Sequence, residues 1–176
     1  MKKLFSKYHR HYTFDLDKPK SLIVGYISQQ KEKKRSFLDK LTSFSIDFSE
    51  VSFTGTDTIE INVRPTNLQP FRANGRIRIE IISGLDRIGT RLQAEIIPYY
   101  KTNIYGIYFI IFFLAFLTLL GLIISTIKFT ILWALLSWLT FTMIIHLLLL
   151  KSRSQLKGNL EDLVLELKRK ATANKA

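Results

Sequence analysis

The chain has 176 residues, no cysteine and a net charge of +12. Such a length holds one small domain beside a membrane anchor. The missing thiol excludes disulfide frameworks, thiol catalysis and cysteine-built zinc sites. There is no P-loop, no GxSxG or HExxH pattern, and no carboxylate pair that periodicity brings together. No enzyme is expected, and no catalytic residue, cofactor or metal ligand is assigned.

Residues 1–11 form a basic segment with aromatics among the cations (Lys2, Lys3, Phe5, Lys7, Tyr8, Arg10). It reads as a solvated terminus or as a segment lying on anionic headgroups, where each Lys or Arg contributes roughly 1 kcal/mol. No apolar stretch follows it, so a cleaved leader is not expected. His9 and His11 share one side of an extended strand but have no third ligand nearby.

An α+β domain is predicted over 12–98. Residues 12–16 alternate as a short strand. Asp17 and Pro19 then suit the start of a helix running from Lys20 to about Arg35, with Leu22, Ile23, Tyr26 and Ile27 as its apolar stripe. From Thr42 the period changes to two. Phe44, Ile46 and Phe48 alternate with polar residues, and Val51 and Phe53 continue on a shifted phase past a bend at Ser49–Glu50. Three more alternating runs follow, over Ile59–Val63, Ile77–Ile81 and Leu92–Ile96, separated by turn residues. The predicted order is β-α-β-β-β-β, an antiparallel sheet whose apolar face is covered by the one helix.

The opposite face collects Glu60, Asn62, Arg64, Arg76, Arg78, Glu80, Arg91, Gln93 and Glu95. Glutamates among the arginines, and no interleaved aromatics, argue against nucleic acid as a partner. The turn residues Phe53-x-Gly55, Asn67-x-x-Pro70, Gly75-x-Ile77 and Gly89-Thr90-x-Leu92, with the Ile59/Ile61/Val63 strand and the two apolar spans that follow, resemble a group of small, uncharacterised bacterial membrane proteins. These have an N-terminal β-rich domain and a transmembrane pair. The resemblance covers about Tyr12 to Leu150. It implies a fold and a membrane location but no activity.

Ile104 to Leu150 holds a single charged side chain, Lys128, near its midpoint. A bilayer core needs about 20 apolar helical residues to cross, so the stretch reads as two spans, 104–126 and 129–150, turning at Lys128. A buried core hairpin of a soluble protein is the alternative. Ala115, Thr118, Gly121 and Ser125 fall in one arc of the first span, and Thr130, Ala134, Ser137 and Thr140 in one arc of the second. An antiparallel register matches Ser125 to Thr130, Gly121 to Ala134, Thr118 to Ser137 and Ala115 to Thr140, so these eight residues are predicted to pack the hairpin, or to join copies of it. His146, the one ionisable group inside the spans, is predicted to be interfacial.

Basic residues flank the domain side of both spans, which places both termini in the cytoplasm and the turn outside; a periplasmic domain is the alternative. Lys2, Lys3, Lys7, Arg10, Lys101, Lys151 and Arg153 are the expected headgroup contacts. A cytoplasmic tail, 151–176, is predicted to contain an amphipathic helix over 159–171. Its Leu156, Leu160, Leu163 and Leu167 form a stripe for the domain, for a partner or for the interface. The sequence is thus read as a two-pass inner-membrane protein. Its expected partners are the bilayer and another membrane or cytoplasmic protein, or itself, in the role of an adaptor or accessory subunit. The alternative is a ligand-sensing effector whose hairpins oligomerise into a pore.

Overall fold

The computed structural model describes residues 5–32, 51–55, 57–64, 73–83, 89–124 and 127–173. Within them the order is β1 (Arg10–Leu16), α1 (Lys20–Glu32), β2 (Val51–Phe53), β3 (Thr58–Val63), β4 (Gly75–Ser83), β5 (Thr90–Ile97), α2 (Lys101–Ile124) and α3 (Ile127–Ala173). The α+β class and the β-α-β-β-β-β order agree with the alternation read from the sequence. The predicted strand over 42–50, the end of the first helix beyond residue 32 and the proline-containing loop at 65–72 lie outside the described residues.

The five strands form one antiparallel sheet in the order β1-β5-β4-β3-β2. The β3, β4 and β5 neighbours follow one another as a meander. β1 closes the sheet by pairing with the last strand, Tyr12 opposite Ala94 and Phe14 opposite Leu92. Because side chains alternate, this register gathers the apolar strand residues on one face, with Ile82 and Ile97 left on the other beside Arg91 and Arg76. Ile59, Ile61 and Val63 of β3 join Ile77, Ile79 and Ile81 of β4 and Leu92, Ala94 and Ile96 of β5, all buried.

Among the described residues, two helices cover that face. α1 begins where Pro19 fixes the first turn and buries Ile23 and Ile27, one turn apart. The larger share of the cover comes from the other end of the chain. Leu156, Leu160, Leu163, Val164 and Leu167 of α3 belong to the same buried cluster as the sheet. At about 1.5–3 kcal/mol per buried aliphatic side chain, five residues on α3 outweigh two on α1. Tyr26 Oη ties the helices together by donating to Glu166 Oε1 at 2.6 Å. α3 reaches the sheet over Gly75, where a Cβ would stand 2.8 Å from the Leu156 side chain and 2.4 Å from the Ile97 carbonyl oxygen.

The C-terminal helix is therefore not a separate element. The predicted second span, 129–150, and tail helix, 159–171, lie in a single 47-residue helix, about 70 Å long at ~1.5 Å per residue. The helix runs unbroken through Asn159, where the tail helix was expected to begin. Gly158 lies inside this helix; a helical glycine costs only about 1 kcal/mol, and the buried Leu156 and Leu160 on either side of it outweigh that. The helix predicted as the sole cover, α1, is the lesser of two.

α2 and α3 form an antiparallel pair beyond the sheet. Both are long and apolar enough to cross a membrane, α2 over Thr102–Ile124 and α3 from Lys128 onward. Their outward residues, including Phe109, Phe112, Leu119, Ile123, Leu132, Trp133, Leu139 and Met143, are exposed. Among the described residues nothing covers them, which is the pattern of helices solvated by lipid rather than by a protein core.

Candidate functional site at the base of the hairpin

The sheet and the helix pair meet where β5 runs into α2. Pro98 ends the strand and is fully buried. The next residues, Tyr99 and Tyr100, set the junction before α2 starts. Tyr100 accepts the first helical bonds at its carbonyl, from the amides of Asn103 and Ile104 at 3.1 and 3.3 Å. Its hydroxyl donates to Val63 O at 3.3 Å, and the Arg64 guanidinium lies 4.9 Å from its ring centre. The end of β3 is thereby tied to the start of α2.

The N-terminal segment completes the junction. Residues 5–8 make one helical turn, with the Tyr8 and His9 amides bonded to Phe5 O and Ser6 O. The turn presents Phe5 and Tyr8 to the helix pair. Both are buried with Leu149, against Tyr99, Ile104, Ile107 and Ile145. The Tyr8 hydroxyl meets His146 Nδ1 at 2.8 Å. His9 lies between β5 and the junction, with Nδ1 2.9 Å from Glu95 Oε1 and Nε2 2.7 Å from the Tyr99 hydroxyl.

A carboxylate only accepts, so His9 donates from Nδ1. In the neutral ring Nε2 then accepts from Tyr99; in the imidazolium both nitrogens donate and the phenol oxygen accepts. Both contacts survive either state, so the pair clamps the segment to β5 in both. Tyr99 has its phenol pushed above the ordinary value, by burial first; Arg76 lowers it and Glu95 raises it.

The fully solvated reading of residues 1–11 is corrected by these contacts. Lys7 and Arg10 are exposed on either side of the buried Tyr8, and the Lys7 ammonium sits 5.1 Å from the Tyr8 ring centre. Lys151 and Arg153 follow Leu150 in the next turn of α3, and Lys101 opens α2. Lys2 and Lys3 lie outside the described residues. The junction residues Phe5, Tyr8, His9, Tyr99 and His146 were not assigned a common role in the sequence. The available signal was the Phe5/Tyr8 spacing of three, which puts both rings on one side of a helical turn.

The predicted hairpin packing is corrected in part. Thr130 is buried and donates to Gly121 O at 3.1 Å. A Cβ at Gly121 would meet Thr130 Cγ2 at 2.9 Å. Thr130 thus faces Gly121, one turn from the expected Ser125, and Ala134 is not the residue against Gly121. Ser125 lies outside the described residues. Ala115, Thr118, Ala134 and Ser137 are half-buried, whereas Thr140 is exposed. The Thr118 and Thr140 hydroxyls donate to Leu114 O and Leu136 O of their own helices, both at 2.8 Å, and not across the seam. An arc of small residues marks close approach only where the partner also lacks bulk, and that holds at Gly121. Toward the domain, Ile104, Ile107, Ile145 and Leu149 fill the seam instead.

The polar sheet face is ordered into rows. His11, Glu95, Arg78, Glu60 and Ser52 lie side by side across all five strands, and Thr13, Gln93, Glu80 and Thr58 form the next row. Arg76 reaches Glu60 at 3.3 Å and Arg91 reaches Asp15 at 2.8 Å. Asp15, by hydrogen bond and then by charge, holds the Arg91 guanidinium above its ordinary pKa. Among the described residues no group of three or more His, Asp or Glu is placed to hold a metal. Comparisons with protein-family models, with characterised proteins and with solved structures give no match.

Proposed function

We propose that the chain is a two-pass inner-membrane protein that holds an α+β contact domain against the cytoplasmic face of the bilayer, as an adaptor or accessory subunit. The observation that carries this reading is the continuity of α3. One helix supplies both the second apolar span and the main cover of the sheet, so the domain has a fixed attitude to the hairpin. Its apolar face is used up internally, and the charged rows of the opposite face are left to meet something else. That face is polar and alternates in sign, which suits a protein partner.

The placement of cations supports cytoplasmic termini. Lys7, Arg10, Lys151 and Arg153 gather at the sheet end of the hairpin, while Lys128 is the charge at the turn, and positive residues favour the cytoplasmic side. The test is gentle extraction from native membranes, with mass analysis of whatever accompanies the protein, beside an Arg78→Glu variant. A reproducible second subunit, lost in the variant while the fold is kept, supports the adaptor. A pure homo-oligomer that admits dye into cells refutes it and favours the pore-forming effector.

A further inference from the structure

We propose that the base of the hairpin is a binding collar for the phosphate headgroup of an anionic phospholipid, assembled from cations that lie far apart in the sequence. The proposal rests on the reading of α2 and α3 as membrane spans and deepens it by naming the lipid class.

The level of the collar is fixed by apolar contacts. Phe5 and Tyr8 pack on Ile104, Ile107, Ile145 and Leu149, the last turns of apolar surface before the sheet. The Tyr8 bond to His146 at 2.8 Å holds the N-terminal turn there. Lys7 and Arg10, exposed beside Tyr8, are brought to the same level. Arg64 arrives from the end of β3, stacked on Tyr100 at 4.9 Å, one residue before α2. Lys151 and Arg153 lie about 2–6 Å further along α3 than Leu149–Leu150, at ~1.5 Å per residue. Five cations from three separate segments therefore ring the helix pair where it would leave hydrocarbon. Glu95, an acidic residue at this junction, is engaged by His9 at 2.9 Å.

This is the arrangement that a layer of phosphates recognises. The aromatic stems sit at the interface, Tyr99 and Tyr100 among them, and the long basic side chains extend from them into the headgroups. A zwitterionic headgroup offers the same phosphate with a compensating ammonium and gains much less. Arg64 and the fixed N-terminal turn give the collar a composition that flanking charges alone would not have.

The test uses the full chain in zwitterionic detergent micelles. Alkaline carbonate washing of native membranes comes first: release of the protein would refute the membrane reading itself. With the protein retained, phosphatidylglycerol and phosphatidylcholine are added separately, and bound lipids are counted by native mass spectrometry. The expected result is preferential retention of phosphatidylglycerol, weakened about fivefold for each cation removed in Lys7→Gln, Arg10→Gln and Arg64→Gln, and weakened by salt. The variant Lys31→Gln/Lys168→Gln, matched in charge to the Lys7→Gln/Arg10→Gln double variant, should retain the wild-type preference. Equal retention of both lipids, or equal loss in the collar and control variants, would overturn the proposal. So would competition by inorganic phosphate as effective as by the lipid, which would mean a site for soluble phosphate.

Discussion

Replacing Leu160 by alanine tests whether the far end of α3 belongs to the sheet core. Leu160 is 1% exposed. The substitution removes three carbons, about 2.4 kcal/mol at ~0.8 kcal/mol each. The cavity left between a helix and a sheet that cannot close up brings the expected loss to about 3–5 kcal/mol. Leu165, on the same helix and 51% exposed, is the control: the same exchange there should cost less than about 0.5 kcal/mol. Helix propensity changes equally in both and drops out of the comparison. The two tryptophans, Trp133 and Trp138, are both in the hairpin, so tryptophan fluorescence would miss the event. Hydrogen exchange of the β4 amides reads it directly, and a loss of 3 kcal/mol accelerates their exchange by roughly a hundredfold. If Leu160→Ala proved as mild as Leu165→Ala, α1 alone would cover the sheet and α3 would only pass beside it.

Gly75→Ala should destabilise the domain by at least about 1–3 kcal/mol in a denaturant melt, because its Cβ would meet the Ile97 carbonyl and the Pro98 Cα at 2.4 and 2.9 Å. Gly25→Ala in α1, with nothing within 4 Å, should instead gain about 0.5–1 kcal/mol in the same melt. A Gly121→Cys/Thr130→Cys pair should oxidise readily within one chain, since the Cβ separation of 3.9 Å matches that of a disulfide. A Gly121→Cys/Ala134→Cys pair should crosslink poorly, and the reverse outcome on a reducing and non-reducing gel would restore the register expected from the sequence. Tyr99 supplies a pH prediction. Its phenol is held above the usual value of about 10, so it is neutral in both states below that pH. As pH rises beyond about 10 the unfolded chain ionises first and stability falls. Melting temperature should therefore decline less steeply above pH ~10 in Tyr99→Phe than in the wild type.

The sheet was legible because its signal is local. Ile59, Ile61, Val63 and Ile77, Ile79, Ile81 each announce a half-buried strand within a few residues. Which strands become neighbours was not: the pairing of β1 with β5 is set by closure of the apolar face, and no local pattern encodes it. The same distinction explains α3. The leucine stripe from Leu156 to Leu167 was visible, with the domain among its three destinations, but the tail helix was expected to start only at Asn159. Only tertiary burial, which the sequence does not display, decides against a break there. At the junction, His9 and His146 each looked isolated, because the bonds that engage them join residues 86 and 138 positions apart. The hairpin seam was half legible. Small residues did mark the arc that faces inward near the turn, where Thr130 donates across the seam to Gly121 O, but the Thr118 and Thr140 hydroxyls bond carbonyls of their own helices.

The position of the cover in the chain has a consequence for folding. β1 to β5 are complete by Ile97, yet the main cover of their apolar face is supplied by residues 156–167. Between the two lie both apolar helices. On the proposed topology the sheet can bury its face only after the second span has returned the chain to the domain's side of the bilayer. A chain whose second span failed to insert in that direction would leave Leu156, Leu160, Leu163, Val164 and Leu167 on the wrong side, and the apolar sheet face open. Domain folding is thereby made conditional on correct insertion of the hairpin. Ending the chain after Leu150 should then give a protein whose spans still insert while its β4 amides exchange freely and the sheet face binds a hydrophobic dye. Full protection of β4 in that truncated chain would show that α1 suffices, and that folding of the domain does not wait for the membrane.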